Sequence, residues 1–109
     1  MTEKAPRELV VPEDLRDERA WIWSDELAGS FWYYARRPAY KFAFTSAEVR
    51  ARLLRFVYLR GEPQYLVLDG ISMNGILDEV RALGGQLQPR GTVGGFTYYQ
   101  INWPRGGPQ

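Results

Sequence analysis

Residues 64–103 restrict the fold of this chain more than any other stretch. They begin with a continuous apolar run at 65–68, which is typical of a central strand buried on both faces. Residues 72–83 then carry apolar side chains at helical spacing, and a pair of glycines ends that segment. An aromatic stretch at 96–103 has the character of a strand. Strand, helix and strand in this order predict a small α+β domain.

The same alternation extends towards the N-terminus. Residues 40–44 alternate between aromatic and small or charged side chains, and the aromatic residues at 31–36 predict a strand that pairs with them. Residues 45–48, Thr-Ser-Ala-Glu, predict a capping box with Thr45 as the N-cap. The helix that it opens runs to about residue 60, ends at a glycine, and places Val49, Leu53, Phe56 and Val57 on one face.

The remaining segments are weaker. Residues 21–23, Trp-Ile-Trp, predict a strand, and residues 86–88 predict another. Residues 90–95 predict a glycine-rich hairpin loop rather than a phosphate-binding loop, because no lysine and no helix follow the glycines.

From residue 40 onward the element order is βαβαββ-like. Two right-handed crossovers place three strands parallel with both helices on one face, which predicts a two-layer sandwich. An extra N-terminal aromatic strand or hairpin lies at its edge. This order of elements resembles that of the Alba proteins, of the C-terminal domain of translation initiation factor three, and of the small sulfur carriers of the TusA kind. The last of these need a cysteine, and this chain has none.

A winged helix is the alternative fold. Its recognition helix would be residues 72–83 and its wing residues 86–103. That fold needs three helices, and only residues 12–19 could supply the third. Asp78 and Glu79 against the single Arg81 also suit a DNA groove poorly.

The length of 109 residues predicts one domain. We expect residues 1–20 to form an acidic N-terminal arm with a short helix that begins at Pro12, because proline suits a first helical turn. Residues 21–103 form the domain, and residues 104–109, rich in proline and glycine, form a disordered tail.

The composition excludes several kinds of site. Without cysteine or histidine, the chain has no thiolate nucleophile, no catalytic triad and no histidine metal ligand. We therefore expect a protein that is not an enzyme and holds no metal or cofactor. Asp69, Asp78 and Glu79 could hold magnesium, but turn chemistry and a solvated helix face explain them better. No apolar run approaches the length of a membrane span, and residues 1–6 have mixed charge without the apolar region of a signal peptide. We therefore expect a cytoplasmic protein.

Charge is unevenly distributed along the chain. Residues 1–34 hold four Lys or Arg against eight Asp or Glu, whereas residues 35–109 hold ten against five. A basic body favours an anionic partner, although two solvated surfaces would have the same composition.

The leading functional hypothesis is nucleic-acid binding, to DNA or RNA, through basic hairpin loops and aromatic stacking. Four Trp, seven Tyr and five Phe make the chain rich in aromatic residues. Arginine and lysine would contact phosphates while neighbouring rings stack on bases. The predicted binding residues are Trp32, Tyr34, Arg36, Arg37, Tyr40, Lys41, Arg90 and Tyr98. Solvated hairpin tips, made basic to prevent edge pairing, are the plainer explanation.

Two other functions fit the same residues. A protein-interaction or inhibitor module, such as a phage or mobile element would encode, would dock its aromatic sheet face on a larger protein. A small-ligand pocket lined by tryptophan and tyrosine is the third hypothesis. An unpaired edge strand would also allow a homodimer.

Overall fold

The computed structural model describes residues 10–24, 39–41, 46–70 and 73–109, with the backbone alone for 39–41. A 3₁₀ helix at Glu13–Arg16 comes first. The strands and α-helices that follow in the described ranges are β1 (Trp21–Ser24), β2 (Ala39–Lys41), α1 (Ala47–Leu59), β3 (Gln64–Val67), α2 (Met73–Ala82), β4 (Gln86–Val93) and β5 (Phe96–Asn102).

The described strands form one mixed sheet with the order β2-β1-β3-β5-β4. β1 is parallel to both β2 and β3, whereas β5 is antiparallel to β3 and to β4. The predicted α+β class is confirmed, and the winged-helix alternative is wrong. The predicted neighbours need correction, because β1 separates β2 from β3 and β5 separates β3 from β4.

β1 takes the place next to β3 because both of its faces are apolar. Ile22 and Trp23 point to opposite faces of the sheet and are each almost completely buried. A strand that is buried on both faces gains most from a position inside the sheet. The hairpin partner predicted at residues 31–36 lies outside the described residues.

α1 begins and ends as its sequence indicates, with a shift of one residue at the start. The N-cap is Ser46, whose Oγ accepts a hydrogen bond from the Val49 N–H at 3.2 Å. The capping box predicted with Thr45 is therefore wrong. Glu48 is free of that role and pairs with Arg52 one turn later. Gly61, at φ +69°, ends the helix as predicted.

Both α-helices pack on the same face of the sheet. This helix-side core joins α1, α2 and the strands through fully or nearly buried residues. They are Trp23, Leu54, Leu66, Met73, Ile76, Val80 and Ile101. An ion pair links the two helices beside it, because Arg50 donates from Nε to Glu79 at 2.7 Å and from Nη2 at 2.5 Å. The sequence position of Glu79 indicated a solvated helix face, but its carboxylate is engaged by Arg50.

The N-terminal arm covers the opposite face of the sheet. Val11, Leu15 and Ala20 are buried there against side chains of β1, β3, β4 and β5. Leu15 has no exposed surface, although it lies in a 3₁₀ helix of only four residues. Residues 11–20 of the predicted arm therefore contribute to the core of the sheet.

The predicted loop at residues 90–95 is mostly strand. β4 continues to Val93, and only Gly94 and Gly95, both at positive φ, form the turn to β5. This two-residue turn suits the twist of a hairpin. A β-bulge places Arg90 between Pro89 and Gly91, which pair with consecutive residues of β5. The bulge shifts the alternation of β4 by one residue, so that Leu87 packs on the helix side of the sheet whereas Val93 packs on the arm side.

Residues 104–109 pack on the domain, which corrects the predicted disordered tail. The Gln109 N–H donates to the Leu83 carbonyl at 3.0 Å, and Arg55 Nη1 donates to the Pro108 carbonyl at 2.9 Å. Gly107 and Pro108 are buried. Gly107 allows the backbone to pack directly on the Tyr58 ring, because a Cβ at this position would clash with that ring.

Replacing Gly107 with alanine tests whether the tail is docked. Gly107→Ala adds a clash with Tyr58 to the strain of a positive φ, whereas Gly106→Ala adds the strain alone, because nothing lies within 4 Å of its Cβ position. We expect each to lose about 1 kcal/mol from backbone strain. Gly107→Ala should lose about 1–3 kcal/mol more through overpacking. It should also accelerate amide hydrogen exchange at Gln109.

Urea unfolding and hydrogen exchange of both variants provide the measurement. Equal exchange rates at Gln109 in the two variants would show that the tail does not dock on Tyr58.

Candidate functional site

Four of the predicted binding residues, Trp32, Tyr34, Arg36 and Arg37, lie outside the described residues. Two more, Tyr40 and Lys41, lie on β2 at an edge of the described sheet, where Lys41 is in register with Ser24 of β1. The nucleic-acid hypothesis therefore stays a prediction for these residues.

Arg90 and Tyr98 meet at a single carboxylate of the arm. Arg90 donates to Asp14 from Nε at 3.1 Å and from Nη2 at 3.2 Å, and the Tyr98 hydroxyl donates to Asp14 Oδ2 at 2.9 Å. The bulge at Arg90 directs its side chain to this point, and Gly91 leaves room for the Tyr98 ring. Tyr98 is only 3% exposed. Its ring has no open face on which a base could stack.

The electrostatics of this group follow from its contacts. Burial, and then the hydrogen bond to Asp14, raise the pKa of Tyr98 to about 12. The hydrogen bond from Arg90, helped by the one from Tyr98, lowers the pKa of Asp14 below its usual value. The three residues thus fasten the arm to the sheet through charge-assisted hydrogen bonds.

A second polar contact lies at the carboxyl ends of the parallel strands. The Ser24 hydroxyl at the end of β1 donates to Asp69 Oδ2 at 2.6 Å, just beyond β3. Both residues are completely buried, so this hydroxyl is not accessible as a nucleophile. Among the described residues, no three acidic groups converge in a way that could hold a metal ion, and Glu79 is engaged by Arg50.

An apolar surface on α1 is the most exposed apolar feature of the described residues outside the arm. Val49 is 41% exposed, Phe56 49% and Leu59 68%. We call these three residues the α1 face. The sequence indicated that Val49, Leu53, Phe56 and Val57 face the core. Val57 does so together with Arg50 and Leu54, whereas Val49 and Phe56 are exposed.

Sequence spacing could not separate these two possibilities. The buried set repeats at i, i+4 and i+7, and so does the set of Val49, Leu53 and Phe56. The buried set includes Arg50, and a charged residue is seldom buried unless it is paired. Its partner, Glu79 on α2, is known only from the structure. The signal that sequence reasoning missed is that α1 has two apolar stripes and only one sheet to cover.

Aromatic and charged side chains surround the α1 face. The Trp21 ring meets Phe56 edge to face at 6.3 Å, and the Arg60 guanidinium lies 5.5 Å from the centre of the Phe56 ring. Arg60 also donates to Glu62 at 2.6 Å. These contacts fix Phe56 in one position while leaving half of it exposed.

Comparisons with protein families, with curated proteins and with solved structures each found no match. In the described residues, no helix combines the length and the apolar character that crossing a bilayer requires.

The Asp14 contacts predict how stability depends on pH. Because the folded state lowers the pKa of Asp14, the contact stabilises the fold above the unfolded pKa and is lost as pH falls through the folded one. Asp14→Asn should therefore lower the urea midpoint at pH 5–8, and this effect should diminish as the pH falls below about 4, the usual pKa of an aspartate. The matched control is Asp78→Asn, whose carboxylate is 85% exposed and 3.9 Å from Arg81.

Urea unfolding of the wild type and both variants at pH 7, about 5 and about 3 measures this dependence. A difference between wild type and Asp14→Asn that is unchanged at low pH would contradict the assigned contact.

Proposed function

We propose that this chain is a protein-interaction module that docks an acidic, amphipathic segment of a larger partner protein on the α1 face. The observation that carries the proposal is the exposure of Phe56 and Leu59 on one helix. Large apolar side chains grouped on a helix surface gain free energy when a partner covers them.

The chemistry of the partner follows from the charges around this surface. Arg52, Arg55 and Arg60 lie on the exposed side of α1 and its C-cap, against two acidic side chains, Glu48 and Glu62. A partner with aspartate or glutamate beside its apolar residues would complement this rim. An amphipathic helix, with both features at i, i+3 and i+4, meets that requirement in one short segment.

The contacts of the arginines favour a protein over a polyphosphate. Arg52 pairs with Glu48, Arg60 pairs with Glu62, and Arg55 donates to a carbonyl of the tail. A polyphosphate would depend on these engaged arginines alone, whereas a protein partner would also bury Leu59 and Phe56. Nucleic acid also offers little apolar surface to a leucine that is 68% exposed.

The sheet is a less suitable docking surface than its aromatic content indicated. Among the described residues of β3, all four are buried, with helices on one side and the arm on the other. At the β4 edge, Pro89 lacks an N–H group and the bulge at Arg90 interrupts the ladder, which disfavours pairing with another strand. The proposed surface therefore lies on α1.

Selection from a peptide library tests the proposal with a defined probe. Random peptides displayed on phage would be panned on the immobilised chain, and the enriched sequences would be synthesised and titrated calorimetrically. We expect apolar residues flanked by aspartate or glutamate. Val49→Ser combined with Leu59→Ser should weaken their binding about tenfold or more, because two apolar contacts are lost.

The matched control is Val10→Ser, which removes another exposed apolar side chain, 79% accessible, from the arm. It should leave peptide binding unchanged, and all variants should keep the wild-type unfolding midpoint within the range of surface substitutions. Enriched peptides that bind the double variant as tightly as the wild type would overturn the proposal.

Parallel titrations with single- and double-stranded DNA and RNA address the nucleic-acid hypothesis. Binding that weakens steeply between about 50 and 200 mM salt and ignores the α1 substitutions would support that hypothesis instead.

A further inference from the structure

A cavity of about 510 Å³ lies at the end of the sheet where β1 and β3 begin and β5 ends. Its size is within the range of small-molecule sites. Its lining includes Asp17, Arg19, Tyr65, Gln100, Asn102 and Trp103, and we call it the sheet-end cavity. No residue of the α1 face lines it, so it is independent of the proposed docking surface.

Amide side chains form one wall of this cavity. Gln88 and Gln100 are directly opposite each other in the β4–β5 pairing, as are Gln86 and Asn102, so four amides share one face of the sheet. Asn102 Nδ2 donates to Gln88 Oε1 at 3.1 Å. This bond orients Asn102 and leaves its Oδ1 as an acceptor. Within the described part of the chain, the Gln100 amide makes no hydrogen bond, so its donors and acceptor are open to a ligand.

Two buried polar atoms at the same end of the sheet also lack partners, but they lie on the opposite face, which packs against the helices. Among the described residues, Gln64 Oε1 accepts no hydrogen bond and Trp103 Nε1 donates none. Gln64 is only 2% exposed, and its Nε2 is held by the Leu54 carbonyl at 3.1 Å. Buried groups of this kind are rare in folded proteins. Because both atoms are buried on the helix side, the ligand contacts are assigned to the amide face alone.

The charges of the sheet-end cavity favour a neutral ligand. Arg19 and Asp17 pair with each other at 3.5 Å, and Glu62 accepts from Arg60. The lining therefore has no surplus of cations for a phosphate. Hydroxyl groups, which both donate and accept, complement neutral amides on both counts.

One aromatic residue of the lining, Tyr65, offers no surface on which a flat base could stack. Tyr65 is 5% exposed and meets Tyr98 edge to face at 6.2 Å, so its ring presents no open face. A base bound by stacking needs such a face. A ring that carries several hydroxyls makes its contacts at its edges and does not.

We infer that the sheet-end cavity binds a neutral, hydroxyl-rich ligand, a sugar residue, through the amides of Gln100 and Asn102. The site lies between the arm and the sheet, so its wall is complete only when the arm is docked. The ligand should therefore also protect the arm from opening.

Titration of the ¹⁵N-labelled chain tests this inference. The probes are glucose, galactose, mannose, N-acetylglucosamine and maltose, with adenosine and uridine as base-containing comparisons. We expect at least one sugar to shift the side-chain signals of Gln100 and Asn102 saturably, with a dissociation constant of about 1 mM or lower. Gln100→Leu should weaken that binding about three- to tenfold, as expected for one lost hydrogen bond.

Gln86→Leu is the matched control, because Gln86 shares the amide face but does not line the cavity. It should leave the affinity unchanged, as should Val49→Ser with Leu59→Ser. The inference is overturned if no sugar gives a saturable shift, if only the nucleosides bind, or if Gln86→Leu weakens binding as much as Gln100→Leu.

Discussion

Burial of β3 on both faces is the constraint to which the other elements respond. Its four residues, Gln64–Val67, have almost no exposed surface, so each face needs a cover of its own. The two helices cover one face through their apolar stripes, and residues 11–20 cover the other. β1 and β5 then satisfy the hydrogen-bonding edges of β3. A two-layer sandwich alone would leave Tyr65, Val67 and Tyr98 in contact with water, at a cost that grows with the apolar area exposed.

The two covers are held in different ways. The helices are long enough for several turns of contact and are tied together by the Arg50–Glu79 pair. The described arm contributes a short 3₁₀ helix, three buried apolar residues and the hydrogen bonds at Asp14. Segments with few buried contacts open at lower free energy than the rest of a domain. The arm also supplies one wall of the sheet-end cavity, so a bound ligand and a docked arm would stabilise each other.

Sequence patterns predicted which helices and strands form more successfully than which of them lie side by side. The continuous apolar run of β3, the capping residues and glycines of α1 and the hairpin turn all report local physics, and each led to an element of the right kind. The position of β1 beside β3 and the packing of the arm depend on contacts between distant residues, which periodicity does not encode. The tail was misjudged for the same reason, because glycine and proline at 104–108 look alike whether they are solvated or packed on Tyr58.

The candidate surfaces could be predicted only in part. The sequence around Arg90 and Tyr98 indicates a basic loop with an aromatic neighbour, yet both side chains bind Asp14, 84 residues away from Tyr98 in sequence. The exposure of the α1 face could not be predicted, because a second apolar stripe on α1 has the same spacing and faces the core instead. The amides of the sheet-end cavity carry no motif at all, since it takes the pairing of β4 with β5 to bring them together.

The most direct test of this account is the urea unfolding of Leu15→Ala. Leu15 has no exposed surface and contacts the sheet from the arm. Its truncation therefore tests the packing of the arm on the sheet without a substitution in any strand or α-helix. If residues 11–20 belong to the core, the substitution should cost about 2–4 kcal/mol, as for other buried leucines. A loss below about 0.5 kcal/mol, which is typical of surface positions, would show that the arm does not cover the sheet.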